Sequence, residues 1–131
     1  MYNEILLIGN LGNEPQMRYT PSGVAVAHFD LAVNKVWLDE GGNKHEKTTW
    51  VRVTIWRRLA EVCAEHLSKG RRVLVKGELE AASAFIDKEG NARSTNEVTA
   101  HRVLFLGGSN GQDETETADQ TAATPSDLTR F

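Results

Sequence analysis

Trp50, Arg52 and Trp56 fall at i, i+2 and i+6 of one alternating stretch, residues 48–56. In an extended strand these three side chains share a side, because successive residues point to opposite faces. Val51, Val53 and Ile55 take the other side, so the tryptophans stand on the face that the aliphatics leave free. An indole is a flat π-surface on which a nucleobase stacks for about 1–3 kcal/mol whatever its identity. A guanidinium between two such rings pairs with phosphate or stacks in its turn. The same rings could equally fill a core or a subunit contact, and this strand alone leaves both uses open.

Two more aromatics stand where a core has little use for them, since loops run over the surface. Trp37 lies just past a strand, beside Asn34 and Lys35, at the mouth of the polar loop 39–44. Phe85 lies near the tip of the last hairpin, in Ala-Ser-Ala-Phe-Ile-Asp. Cations are interleaved with them: Lys35, Arg52, Arg57, Arg58, Lys69, Arg71, Arg72 and Lys76. Arg57-Arg58 opens a helix, the end at which the helix dipole disfavours cations, and a nearby phosphate would account for their presence. Trp37, Trp50, Trp56 and Phe85 are therefore the expected base-stacking residues. Lys35, Arg52, Arg58, Lys69, Arg72 and Lys76 are the expected phosphate contacts.

Nothing in the sequence arranges these groups for catalysis. His28, His45, His66 and His101 show no metal-ligand spacing with one another or with Cys63. A phosphate-cradling glycine loop, a nucleophile elbow and a paired-carboxylate motif are all missing. The expectation is a binding protein with no catalytic residue, no metal and no cofactor. The single cysteine makes no internal disulfide and falls on the apolar side of the helix, as a core residue.

A net charge of −3 over 131 residues argues against a nucleic-acid partner, for which basic domains are usual. The charge is uneven, however. Residues 1–106 carry 14 Lys and Arg against 13 Asp and Glu, a net of +1, whereas residues 107–131 hold five acids against Arg130, a net of −4. That tail has no aliphatic larger than Ala before Leu128. It buries too little apolar surface to offset its ordering entropy and is expected to be disordered. The division is a folded domain over 1–106 and a flexible acidic tail over 107–131. No stretch nears the roughly 18 apolar residues of a membrane span, and the first residues lack a signal peptide's basic region, so a cytoplasmic location is expected. No internal repeat is evident.

The elements that must position these groups follow from periodicity. Residues 3–11, 24–33 and 48–56 read as strands, and Leu59, Val62, Cys63 and Leu67 recur at helical spacing with Gly70 as C-cap. Residues 72–80, with Val73, Val75 and Leu79 on one face, and residues 94–106 read as two more strands about the turn at 87–91. In the last strand Val98, Ala100 and Leu104 fall near one side, Val103 and Phe105 on the other. Three strands, one short helix and two strands form the order of an all-β, five-stranded OB-fold Greek-key barrel, with the helix between its third and fourth strands.

With Ile-Gly-Asn-Leu-Gly at 8–12, Arg-Tyr-Thr-Pro-Ser-Gly at 18–23, Thr-Trp-Val-Arg-Val at 49–53 and Leu-Ala-Glu-Val at 59–62, residues 1–106 resemble the bacterial single-stranded DNA-binding protein (SSB) family. The resemblance implies an OB-fold subunit of a homotetramer that binds single-stranded DNA without sequence preference in replication, recombination and repair, associated with the nucleoid. It implies stacking aromatics at Trp37, Trp50, Trp56 (commonly Phe) and Phe85 (commonly Trp), the same four that the residues single out. Three departures accompany it. Residues 81–84 are Ala-Ala-Ser-Ala where the family has a basic run, and Val51 stands where many members have an interface histidine. The tail ends Ser-Asp-Leu-Thr-Arg-Phe, which keeps Asp127 and Phe131 of the family's docking peptide for replication and repair proteins but has Arg130 in place of proline. Two other readings use the same residues: an SSB-like paralogue acting by oligomerisation or recruitment, and an RNA-binding OB protein.

Overall fold

The computed structural model describes residues 1–107 and 117–119. Its elements are β1 (Ile5–Leu11), β2 (Gln16–Tyr19), β3 (Ala25–Leu38), β4 (Lys44–Trp56), α1 (Arg57–His66), β5 (Arg72–Ile86), β6 (Ala92–Leu106) and β7 (Thr117–Asp119). The strands run β1-β5-β6-β4-β3-β2, and β1 also pairs with β3 through Asn10↔Ala32 and Leu11↔Leu31. That last contact closes a five-stranded barrel of β1, β3, β4, β5 and β6, in which β4 and β6 are parallel and the other pairs antiparallel. This is the OB-fold expected from the element order.

Alternation decides the interior. Ala27, Phe29 and Leu31 of β3, Val53 and Ile55 of β4 and Val73 and Val75 of β5 are wholly buried. Leu59, Ala60 and Cys63 of α1 plug the barrel, followed by Leu67. Burial in this apolar setting pushes the Cys63 thiol up to about 12. No polar or charged residue is buried among the described residues.

Several local expectations are corrected. Val98, Ala100, Val103 and Phe105 of β6 all face inward, although 100 and 103 have opposite parity. The pairs Lys76↔Arg102 and Gly77↔Ala100 leave His101 without a partner on β5, and this bulge turns the rest of β6 over. Leu79 is exposed rather than inward, because β1 pairs with β5 only as far as Gly77 and leaves the strand's edge uncovered there. Farther on, β5 and β6 extend beyond the barrel as a two-stranded ribbon. β3 and β4 do the same, and β3 continues five residues past the expected end at 33. β2 is an additional strand, exposed along its length and bonded only to β3. The helix stops at His66, and Leu67 is its C-cap. Gly70, expected as that cap, instead turns the chain with φ +90° and donates its N–H to Leu11 O at 2.8 Å.

β7 pairs with Arg102, Val103 and Leu104 of β6. The rest of the expected acidic tail, with Asp127 and Phe131, lies outside the described residues.

Candidate nucleic-acid interface

β4 separates its two faces as its sequence predicts. Trp50, Arg52 and Trp56 are exposed and Val51, Val53 and Ile55 are buried. Trp50 is 53% exposed and Trp56 37% exposed. At about 3.3 Å per residue they lie roughly 20 Å apart along the strand, far enough to hold different bases.

Trp50 is supported from below by a glycine. A Cβ on Gly12 would stand 2.5 Å from the indole Cζ3, so the ring covers that backbone and a larger residue would displace it. Gly12 N–H donates to Asp30 O at 2.8 Å. Asn13 next to it binds Asp30 twice, Nδ2 donating to Oδ2 at 3.0 Å and Oδ1 accepting from the Asp30 N–H at 3.1 Å. The β1–β2 connection is thereby pinned against β3, directly beside the tryptophan. Asn96 Nδ2 donates to Trp50 O at 3.3 Å from β6.

Arg52 lies between the two rings but is already partnered. Its Nε reaches Asp30 Oδ1 at 3.5 Å, and the register places Glu97 opposite it on the parallel side. A phosphate must compete with Asp30. The pair is solvent-exposed and long, worth at most about 1 kcal/mol. Replacing Asp30→Asn releases Arg52 while keeping an amide for Asn13. The variant is expected to bind oligo-dT up to about fivefold more tightly, with a slope of log K against log salt steeper by about 0.7. An unaltered slope in that titration means that Arg52 does not meet phosphate.

Trp56 ends β4 and is the N-cap residue of α1, with no side-chain cap bond and no acid in the first turn. Arg57 follows in the left-handed region at φ +62°, which costs a non-glycine residue roughly 1 kcal/mol. This turn carries Arg58 into the first helical turn beside Trp56, exposed.

Trp37 is 42% exposed on the extension of β3. Its parity is that of Phe29 and Leu31, so by alternation it occupies the opposite face of the β3–β4 ribbon from Trp50 and Trp56. A strand of nucleic acid that touches all three must pass over the ribbon's edge. Lys35 Nζ stands 5.7 Å from the Trp37 ring centroid, and His45, paired with it across the strands, stacks on it at 5.5 Å and 21°. Phe85 is 49% exposed on the other ribbon, opposite Arg93.

The remaining expected phosphate residues do not join this group. Lys69 and Arg72 line a cavity of about 600 Å³ at the end of the barrel, with Asn10, Ser68, Gly70, Arg71 and Gly107. Lys69 N–H is held by Glu14 Oε2 at 2.9 Å. Lys76 sits on β5 with β6 between it and β4, 3.7 Å from Glu4 Oε1. Sequence reasoning passes over Gly12, Asp30, Asn13 and His45. Counting the β3–β4 register back from the loop at 39–44 would have found His45 opposite Trp37; nothing local points to Gly12.

Residues 2–106 match the family model described as "Single-strand binding protein family". The chain is 36% identical over 124 residues to single-stranded DNA-binding protein 1 of Chlorobaculum tepidum, covering 95% of this chain and 76% of that one. It is 36% identical over 108 residues to the single-stranded DNA-binding protein of Neisseria meningitidis serogroup A, covering 82% of this chain and 62% of its relative. Among solved structures, the Plasmodium falciparum SSB in complex with ssDNA superposes with a TM-score of 0.69 at 29% identity, over 81% of this chain and 96% of the other. A deletion mutant of the Thermus aquaticus single-stranded DNA-binding protein gives 0.67 at 34% identity, over 84% and 53%. With a matched family model spanning the whole barrel and relatives above a third identical, the chain belongs to the single-strand binding protein family.

Proposed function

We propose that this chain coats single-stranded DNA without reading its sequence, wherever duplex is opened for replication, recombination or repair. The observation that carries the reading is the outward face of β4, where two large rings flank an arginine in open solvent. Trp50, Trp56, Trp37 and Phe85 stack bases, and Arg52, Arg58 and Lys35 beside them take phosphates. Lys69, Arg72 and Lys76 act as more distant steering charges. Its relatives' names and the DNA complex of the Plasmodium protein support the same reading.

Self-association accompanies it. β1 is bonded to β5 along Ile5–Asn10 but to β3 only at Asn10 and Leu11, so most of its second edge has no strand beside it among the described residues. Leu6 and Ile8 on this strand are 55% and 51% exposed. A second copy meeting this face would cover both, as the first step to a homotetramer. The acidic tail, with Asp127 and Phe131, serves as a docking peptide for replication and repair proteins.

Titrating the protein with oligo-dT at low salt is expected to quench its tryptophan fluorescence. If about four phosphates are neutralised per subunit, log K falls against log salt with a slope near −3. No quenching at low salt rejects the proposal, and an equal response to a matched RNA oligomer would move it toward RNA. A recruitment role draws on the β5–β6 ribbon, where Glu80 faces Glu97 and residues 81–84 supply no cation. Hetero-oligomers with a second SSB in native mass spectrometry would support that role.

A further inference from the structure

The two ribbon tips are built alike. Residues 37–45, Trp-Leu-Asp-Glu-Gly-Gly-Asn-Lys-His, and residues 85–93, Phe-Ile-Asp-Lys-Glu-Gly-Asn-Ala-Arg, follow one pattern of turn hydrogen bonds although only Asp, Gly and Asn are shared. In each the Asp N–H donates to the Asn carbonyl at 2.9 Å and the Gly N–H to the Asp carbonyl at 3.0 Å. Gly42 and Gly90 have φ +81° and +85°. The Asp Oδ1 accepts two further N–H groups, from Gly41 and Asn43 in one tip and from Glu89 and Asn91 in the other. The first residue, an aromatic, is paired across the strands with the ninth. That ninth residue bonds the second carboxylate oxygen: His45 Nε2 to Asp39 Oδ2 at 2.8 Å, and Arg93 Nε to Asp87 Oδ2 at 2.9 Å.

One tip thus holds a permanent cation opposite its aromatic, and the other holds a histidine in the same place. We propose that His45 is a DNA-contacting residue whose protonation adds a second tip cation, so that the chain grips single-stranded DNA more tightly at acidic pH. The inference rests on the DNA-binding reading above.

The hydrogen bond to Asp39 explains why protonation changes what the ring presents. A carboxylate only accepts, so the shared hydrogen belongs to Nε2 and the neutral ring carries a bare lone pair on Nδ1. A lone pair repels phosphate oxygen. A second proton turns Nδ1 into a donor and the ring into a cation, the state in which Arg93 always stands. The His45 side chain is 46% exposed, open to solvent while it lies against the Trp37 ring on which a base would stack. The charged groups that face it are Asp39 and, on the same face of the ribbon, Lys35 and Lys47, opposite one another. The His45 bond, then the Asn43 and Gly41 bonds, hold the Asp39 carboxyl below its ordinary range, so Asp39 stays ionised while histidines titrate.

The test is a salt titration of labelled oligo-dT binding to the full chain at about pH 5.5 and about pH 8, the span over which histidines change charge. Thymine takes up no proton there. The wild-type slope of log K against log salt is expected to be steeper by about 0.7 at the lower pH, with affinity higher by about two- to fivefold. His45→Phe keeps a flat ring against Trp37 with nothing to titrate there, and its pH difference in slope is expected to be smaller than the wild type's by about 0.7. His45→Arg copies the other tip and is expected to hold the steeper slope at both. His28, His66 and His101 remain in all three proteins, so their effect cancels in the comparison. A wild-type slope independent of pH, or a pH difference undiminished in His45→Phe, overturns the proposal and leaves DNA binding standing. Absence of oligo-dT binding by the wild type at either pH removes the DNA-binding reading itself, and this inference with it.

Discussion

Replacing Trp50→Ala is expected to cut affinity for oligo-dT by about 1–3 kcal/mol, or roughly five- to 150-fold, the value of one stacked base. The residue is more than half exposed, so little folding energy depends on it, and the Gly12 backbone that its ring covers has no side chain to collapse. Circular dichroism and thermal melting should therefore match the wild type while binding falls. The loss should also persist at high salt, because stacking neutralises no charge. A variant that binds within twofold of the wild type would show that the β4 face is not where bases stack. Trp56→Ala is a less clean substitution, since that residue also ends the strand and caps α1.

The largest expected effect on stability lies far from that face. At Gly77 an added Cβ would stand 2.0 Å from Thr99 O and 2.8 Å from Ala100 Cα, both backbone atoms. They belong to the bulge that turns the end of β6 over, so neither strand yields without undoing the register that buries Val103 and Phe105. Gly77→Ala should destabilise the fold by about 3 kcal/mol or more, lowering the melting temperature by roughly 10 °C. Melting must be compared at matched protein concentration, because assembly shifts it by mass action. A melting point within a few degrees of the wild type would mean that the bulge relaxes around a methyl group.

Gly77 also marks where sequence reading stops. The alternation in β3 and β4 maps directly onto burial, because one face of each packs on the core and every second residue must be apolar. The same logic fails at β6, where a single unpaired residue, His101, inverts parity and no local pattern announces it. It fails again where β1 ends: Leu79 keeps the inward parity of Val73 and Val75, but β1 no longer runs beside it and it is left exposed. The four aromatics are legible as surface groups, since β4 already spends Val51, Val53 and Ile55 on the core. Their relative placement is not, for Trp37 lies on the other side of its ribbon from Trp50. The cations are the least legible. Arg52, Lys69 and Lys76 are equally basic in sequence; alternation along β4 puts Arg52 between two tryptophans, whereas only tertiary contacts put Lys69 at a cavity and Lys76 beside Glu4.

The position of Cys63 in the barrel plug has a practical consequence. It is the only cysteine in the chain, it has no exposed surface, and with its thiol raised to about 12 almost none of it is thiolate at neutral pH. Maleimide and iodoacetamide dyes should pass it by in the native state. A cysteine introduced at the tip of either ribbon would then be the sole reactive thiol, without first removing the native residue. A dye on it paired with one on the oligonucleotide would test whether DNA passes over the ribbon edge.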